Sequence, residues 1–167
     1  IYTLSLHDAL PILDSHLDLP VINKTKEQLD SLELEPFREL FKAGVGSVMI
    51  AHLSVPAYDT ASHRATSISK NTITGVLRKE LGFDGLAFTD ALEMKGVAKY
   101  FPGGVIAVEA LIAGNDMLCL PESVPETIEA VKKAIEEKKK LLEKEGIEFD
   151  KEYFIVDFEK KLYKFRE

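Results

Sequence analysis

The sequence predicts an α/β fold with parallel strands, and two observations carry that prediction. Short, almost wholly apolar segments bounded by Gly, Asp or Pro are typical of buried parallel strands, and three of them occur, at 45–51, 85–89 and 116–120. Segments of helical character lie around and between them, at 34–42, 69–80 and 105–113. Because helices alternate with strands across short connections, parallel pairing is favoured.

Signals at the ends of the helices support this assignment. Ser69 is a favourable helix cap, and apolar residues at helical spacing follow it. A glycine follows the end of each of three predicted helices and precedes the next predicted strand, at Gly44, Gly82 and Gly114. The charged C-terminal region predicts two more helices, at 125–145 and 151–165. The second carries an aromatic stripe that we expect to pack in the core.

Composition narrows the classes of function. The 167 residues carry 21 basic and 28 acidic side chains, a net charge of −7, so we do not expect nucleic-acid binding. No apolar run approaches the roughly 18 residues of a membrane span. Cys119 is the one cysteine, which excludes a disulfide within the chain and a multi-thiolate metal site. The four histidines show no metal-ligand spacing, so neither a metal nor another cofactor is expected.

Three strands make a small parallel sheet. Parallel sheets usually have more strands, and both of their faces need to be covered. The sequence predicts no strand before residue 45. We therefore expect this chain to be the C-terminal portion of a larger α/β fold, with 45–51 as an exposed edge strand.

Asp90 is the first candidate functional residue. It follows an apolar strand, and α/β folds place their reactive groups at the carboxyl ends of strands. A carboxylate there is suited to act as a nucleophile, a general base or a metal ligand. The alternative is a helix cap for residues 91–94, because Asp is also a favoured cap.

Three further positions are candidates of weaker specificity. Asp14 and His16 lie two residues apart, so the carboxylate could orient the imidazole for acid/base work; an ordinary surface loop is the alternative. His52 ends the first strand on the same rim as Asp90, where it could line a polar pocket or bond to a neighbouring loop. Arg64 lies in a polar loop and is either a substrate contact or a solvated charge.

The stretch 69–94 resembles glycoside hydrolase family 3, most closely its bacterial β-N-acetylglucosaminidase (β-N-acetylhexosaminidase) branch. The resemblance continues through Val48-Met49-Ile50-Ala51-His52 and Gly114-Asn115-Asp116-Met117-Leu118, and it covers residues 14 to about 137. It implies that Asp90, in the Thr-Asp-x-x-x-Met stretch, is the nucleophile. It also implies that His16 of Asp14-Ser15-His16 is the acid/base and that Asp14 orients it.

The same resemblance implies the fold and the reaction. The fold would be a TIM-like (β/α)₈ barrel, of which this chain holds the last three strands with their helices. The reaction would be retaining hydrolysis of a terminal β-linked N-acetylglucosamine on a carbohydrate substrate, without a cofactor. His52, Arg64 and Met94 would be substrate-binding residues.

One departure from the family pattern concerns the N-terminus. The family has Lys-His-Phe-Pro-Gly-His-Gly just before Asp-Ser-His, whereas residues 3–12 here are similar to a translated sequencing adapter. We therefore expect residues 1–13 to be a non-native segment, which the fold prediction leaves out, and 14–167 to be the C-terminal part of one catalytic domain. Such a truncated chain is expected to be inactive by itself.

Alternatives to this assignment come from inside and outside the family. A family 3 β-glucosidase or β-xylosidase takes its acid/base carboxylate from elsewhere, so Asp14-Ser15-His16 argues against it. A signalling receiver domain needs an acidic cluster after its first strand and a lysine after its last, and neither is present here. A non-catalytic α/β fragment remains the other alternative.

Overall fold

The computed structural model describes residues 2–3, 18–102 and 104–145. Its centre is a parallel sheet in the order β1-β2-β3-β4. The strands are β1 (Tyr2–Thr3), β2 (Ser47–Ile50), β3 (Leu86–Ala91) and β4 (Met117–Cys119). The three predicted strands and their parallel pairing are confirmed, with bounds that shift by one or two residues.

The edge of this sheet differs from the prediction. Tyr2 and Thr3 pair with Val48 and Met49 of β2, so β2 has strands on both sides over these two positions. The expectation that no strand precedes residue 45, which left 45–51 as an edge, is therefore wrong. The physical reason is that unpaired backbone groups of an edge strand accept any extended segment that can reach them, whatever its side chains are.

Helical elements surround the sheet. They are α1 (Lys26–Gln28), a π-helical segment (Leu29–Glu33), α2 (Glu35–Lys42), a 3₁₀ turn (Thr66–Ile68), a π-helix (Asn71–Glu80), α3 (Lys95–Ala98), α4 (Val105–Ala113) and α5 (Val124–Lys144). The predicted helices at 34–42, 69–80, 105–113 and 125–145 are confirmed. The predicted helix at 151–165 lies outside the described residues.

The ends of these helices follow the sequence signals. The Ser69 hydroxyl accepts a hydrogen bond from the Thr72 backbone N–H at 3.2 Å. Three glycines that follow helices have left-handed backbone angles, namely Gly44, Gly82 and Gly114. A side chain would be strained in this conformation, which explains why glycine stands at these positions.

One face of the sheet packs against the helices. Val48 and Ala87 are fully buried there against Ile73, Leu77 and Phe83. Side chains alternate along a strand, so Met49 and Phe88 lie on the opposite face, where they are only half-buried. Each buried Val, Leu, Ile or Phe side chain contributes about 1.5–3 kcal/mol, so this helical layer is what fixes the sheet.

A second apolar cluster holds the chain segments at the carboxyl end of the strands. Leu19, near the start of the described segment 18–102, packs against Leu92 and Val97 after β3, together with Ile68 and residues of α4. This cluster joins the segment that follows residue 17 to the segment that follows Asp90. None of the described helices has the length and apolar character that crossing a membrane would require.

Candidate active site

Asp90 lies near the carboxyl end of β3, at an irregularity of the sheet. Phe88 pairs with Met117 and Ala91 pairs with Cys119, so three steps along β3 match two steps along β4. The extra residue marks a β-bulge between Phe88 and Ala91. Buried and half-buried side chains alternate along β3 through Asp90, and the alternation fails at Ala91. Because a bulge changes the direction in which side chains point, the strand end that carries Asp90 departs from the regular strand.

The hydrogen bonding of Asp90 excludes its alternative role as a helix cap. Its Oδ1 accepts a hydrogen bond from the Ala91 backbone N–H at 2.8 Å, within the strand. The next helix, α3, begins only at Lys95, and Met94 is its cap residue. Residues 91–94 therefore form no helix for Asp90 to cap. The pairing with β4 extends the strand through Ala91, which the local sequence does not reveal.

His52, from the segment after β2, lies beside the same strand end. The residue is 1% exposed. Nε2 lies 3.0 Å from the Ala91 carbonyl oxygen, and Nδ1 lies 2.6 Å from the Ser67 hydroxyl. Burial lowers the pKa of His52, while the hydrogen bond to Ala91 and the negative charge of Asp90 oppose that shift. The sequence-based role of His52 as a substrate contact stays a prediction.

Ser67 is a site residue that sequence reasoning missed. It is fully buried in the 3₁₀ turn, and Asn115 Nδ2 donates to its carbonyl oxygen at 2.8 Å. The neighbouring Thr66 hydroxyl donates to the Ala51 carbonyl at 2.5 Å, so this turn is bonded to the chain beside His52. The available signal was a run of small hydroxyl residues among apolar ones, which is a weak indicator of buried bonding.

On the β4 side, Cys119 is the neighbour of this strand end. Its backbone N–H donates to the Thr89 hydroxyl at 2.9 Å. Burial, and then the charge of Asp90, raise the pKa of the Cys119 thiol, so the neutral thiol is favoured. The electrostatic influence of Asp90 therefore reaches side chains that follow or end both neighbouring strands, His52 and Cys119.

The structure places Arg64 and Met94 differently. Arg64 forms an ion pair with Glu109 of α4, and its guanidinium lies 5.9 Å from the centre of the Phe101 ring. Met94 is half-buried directly before α3, and its N–H donates to the Ala91 carbonyl at 3.1 Å. Met94 is thus near the strand end that carries Asp90, whereas Arg64 is bound to the helical layer. Their substrate-binding roles stay predictions.

Asp14 and His16 lie outside the described residues, and the described chain resumes at Asp18. Asp18 Oδ1 accepts hydrogen bonds from Lys99 Nζ at 2.7 Å and Tyr100 Oη at 3.4 Å. The hydrogen bond from Lys99 is the main cause that lowers the pKa of Asp18. Two residues after His16, the chain is therefore attached to the segment that follows Asp90 and α3.

A cavity of about 60 Å³ lies elsewhere, in the apolar layer between β2 and the helices. Ile50, Tyr58 and Ile73 are among its lining residues, and Asp90 is not. Burial raises the pKa of Tyr58 to about 12. The site at Asp90 is therefore a strand-end rim and not this cavity. Within the described ranges, no three His, Cys, Asp or Glu side chains are grouped as a metal site would require.

Solved structures share this architecture. A glycoside hydrolase family 3 β-N-acetylglucosaminidase from Paenibacillus sp. superimposes with a TM-score of 0.77 and 35% identity, over 90% of this chain and 27% of that one. The β-N-acetylglucosaminidase from Thermotoga maritima gives a TM-score of 0.71 and 29% identity, over 87% of this chain and 30% of that one.

Curated relatives agree with the structures. The β-hexosaminidase of Chromobacterium violaceum is 39% identical over 118 residues, which are 71% of this chain and 32% of that protein. That of Thiobacillus denitrificans is 37% identical over 122 residues, 70% of this chain and 33% of that protein. The chain thus spans about a third of the length of these two relatives. The glycosyl hydrolase family 3 N-terminal domain matches residues 11–150, and the chain belongs to this family.

Proposed function

We propose that this chain supplies the nucleophile end of a retaining glycosidase that releases terminal β-linked N-acetylglucosamine from a carbohydrate substrate. The observation that carries the proposal is Asp90 at a β-bulge near the carboxyl end of a parallel strand. Bulges are frequent next to active sites, and barrel enzymes take their reactive groups from this end of the strands. The β-hexosaminidase and β-N-acetylglucosaminidase relatives indicate the sugar.

In the first step, a carboxylate oxygen of Asp90 attacks the anomeric carbon of the sugar. The bond from that carbon to the leaving oxygen breaks, and protonated His16 gives its proton to that oxygen. In the second step, neutral His16 takes a proton from water as the water oxygen bonds to the anomeric carbon. As that bond forms, the bond from the anomeric carbon to the Asp90 oxygen breaks, so the carboxylate is restored and the sugar configuration is retained.

The role of His16 is supported by the attachment of the residues directly after it. Asp18 is bonded to Lys99, and Leu19 packs with Leu92, which is two residues after Asp90. In this proposal, His16 acts at the same strand end as Asp90. An imidazole suits this place, since a second carboxylate beside Asp90 would be repelled by its charge. Asp14 would hold the imidazole orientation.

The complete enzyme, in this proposal, is residues 14–167 preceded by the remaining strands of a TIM-like barrel. Residues 1–13 are a non-native segment, of which Tyr2 and Thr3 pair with β2 in this chain. A non-catalytic fragment is the second candidate for the chain by itself, because it spans about a third of the relatives' length. A family 3 β-glucosidase is disfavoured by Asp14-Ser15-His16. The described residues form four parallel strands, whereas a closed (β/α)₈ barrel has eight.

The decisive experiment is to trap the covalent intermediate. The complete enzyme is incubated with a slow fluorinated N-acetylglucosaminide, digested, and the labelled peptide is mapped by mass spectrometry. We expect label on Asp90. Label on any other residue contradicts the assignment of the nucleophile.

A second experiment tests His16. Replacement by Ala should slow poor leaving groups by about 100-fold or more, and activated aryl glycosides much less, because these need little protonation. An equal loss for both kinds of substrate contradicts the acid/base role.

The third experiment separates the chain from the complete enzyme. Residues 14–167 alone are assayed with an aryl β-N-acetylglucosaminide beside the complete enzyme. We expect no turnover, because positioning of the substrate is worth up to about 7–11 kcal/mol of the barrier. Turnover within about tenfold of the complete enzyme would show that the site is already whole in this chain.

A further inference from the structure

The two ring nitrogens of His52 have different partners, and these determine where its hydrogen lies. The Ala91 carbonyl oxygen can only accept, so Nε2, 3.0 Å away, carries the hydrogen. Burial lowers the pKa of His52, which favours the neutral ring and leaves Nδ1 without a hydrogen. The Ser67 hydroxyl, 2.6 Å from Nδ1, therefore donates to it.

The Ala91 carbonyl that His52 holds is the end of the bulge. Ala91 follows Asp90 directly, and its carbonyl oxygen also accepts from the Met94 N–H at 3.1 Å. A bulge interrupts the regular hydrogen bonding of the sheet, so its backbone needs other partners to keep one conformation. His52 and Met94 supply two donors to the same oxygen.

We propose that His52 is a positioning residue: it holds the Ala91 carbonyl, and through it the bulge that presents Asp90, and it does not touch the sugar. This inference rests on the proposed function. His52 is 1% exposed, and both of its ring nitrogens are already bonded within the protein. Asn115 and Thr66 hold the turn that carries Ser67, so the ring is fixed from β2 to β4.

Neutrality of the ring is part of the arrangement. A protonated His52 would be a cation near Asp90. Its attraction would stabilise the ionised carboxylate and so lower the reactivity of Asp90 as a nucleophile. The protonated ring would also carry a hydrogen on Nδ1, so the Ser67 hydroxyl would have to accept from Nδ1 instead of donating to it. A neutral ring fixes the backbone while leaving the charge of Asp90 unpaired by His52.

The first test reads the tautomer in the chain itself. The ¹⁵N NMR spectrum of histidine-labelled protein at pH 7 should show His52 with a hydrogen on Nε2 and none on Nδ1. His52→Gln identifies its signals by their loss. A hydrogen on Nδ1 alone, or on both nitrogens, overturns the arrangement. This test does not depend on any enzymatic activity.

The second test is made in the complete enzyme. It replaces His52 by Gln and by Asn, whose side-chain amides each mimic one of the two ring nitrogens. The Gln amide can reach the position of Nε2 and donate to Ala91, whereas the Asn amide lies near the position of Nδ1. His52→Asn should lower kcat by about 100-fold with KM nearly unchanged, because a misplacement of about 1 Å costs that much. His52→Gln should recover kcat to within about tenfold of the wild type.

Arg78→Met is the matched control, because it removes a half-buried network at the opposite ends of the strands. It should lower the melting temperature while kcat stays within about twofold. A loss carried by KM in His52→Asn would mean sugar contact and overturn the inference, as would recovery by Asn but not Gln. If His52→Asn does not fold, the kinetics of His52→Gln and the tautomer measured by NMR decide whether the inference holds. Full activity of Asp90→Ala would instead refute the proposed function.

Discussion

The two ends of the parallel strands are held by different chemistry. At the amino ends, the Arg78 guanidinium donates to Asp116 at 2.6 Å and to the Gly85 carbonyl at 2.6 Å. At the carboxyl ends, a neutral histidine, His52, bonds to Ser67 and to the Ala91 carbonyl. The amino ends are joined by an ion pair, whereas the groups that bond around Ala91 are uncharged, although both sets tie together segments distant in sequence.

The difference reflects what each end has to do. Asp116 accepts from Arg78 and also from the Ala87 backbone N–H at 2.8 Å, so its charge is used to fix the starts of β3 and β4. A nucleophilic carboxylate cannot be used in that way, because a cation bonded to it would lower its reactivity. The comparison shows charged bonding at the amino end and neutral bonding beside Asp90; under the proposed function, the neutral bonding would leave the reactivity of Asp90 as a nucleophile intact.

The largest expected effect separates the two carboxylates. In the complete enzyme, Asp90→Ala should lower kcat by at least about a thousandfold, because it removes the group that forms the covalent intermediate. Asp116→Asn is the control at the opposite end and should retain kcat. Steady-state kinetics with an aryl N-acetylglucosaminide measure both. A loss in Asp90→Ala below tenfold, or an equal loss in Asp116→Asn, would erase the distinction.

The next effect concerns stability at the amino end. Arg78→Met should lower the free energy of unfolding by about 3 kcal/mol, because it leaves the 11% exposed Asp116 side chain without its cation. Urea unfolding followed by circular dichroism measures this. Lys132→Met is the control, since Lys132 pairs with Glu129 on the exposed surface of α5. Equal changes in the two variants would show that burial of the Arg78 pair has no special weight.

The third effect is a pH dependence at the carboxyl end. The folded protein lowers the pKa of His52 below the ordinary value of 6.5, so the unfolded chain binds the proton more readily. The stabilisation by neutral His52 is complete above pH 6.5 and is lost as the pH falls through the lower pKa of the folded state. The unfolding free energy of the wild type should therefore decrease more steeply below pH 6.5 than that of His52→Gln. Parallel curves would contradict this.

The smallest effect is expected for the exposed ion pair of Asp18 and Lys99. Their side chains are 42% and 40% exposed, so water and salt screen the pair. Lys99→Met should change the melting temperature less than Arg78→Met does, and the change should shrink further in 0.5 M salt. A larger change than in Arg78→Met would mean that this attachment is a main support of the fold.

Much of the fold could be predicted because its signals are local. Helix α4 has the bounds that the sequence predicts, Val105–Ala113, since apolar residues run between Gly104 and Gly114. The π-helical hydrogen bonds at Leu29–Glu33 and Asn71–Glu80 could not be predicted, because apolar spacing does not distinguish them from α-helical ones. The strand Tyr2–Thr3 was missed for a different reason, since pairing at an edge needs only backbone.

The candidate site divides in the same way. The sequence places Asp90 and His52 after apolar strands, and this is enough to predict that both lie near one edge of a parallel sheet. It could not show that His52 is buried or that Ser67 is its partner, because Ser67 lies 15 residues away and meets it only when the 3₁₀ turn packs against β2. It also left open whether Asp90 capped a helix.

By itself, the sequence determined the α/β class, the order of the strands along the chain and the position of Asp90 near the carboxyl end of an apolar strand. These depend on apolar spacing and on glycine and proline, whose effects act within a few residues. Tertiary structure alone decided the bulge in β3, the neutral bonding of His52 and the ion pair of Arg78. Each of these arises where backbone or side-chain groups remote in sequence satisfy one another's hydrogen bonds, and no local pattern records that pairing.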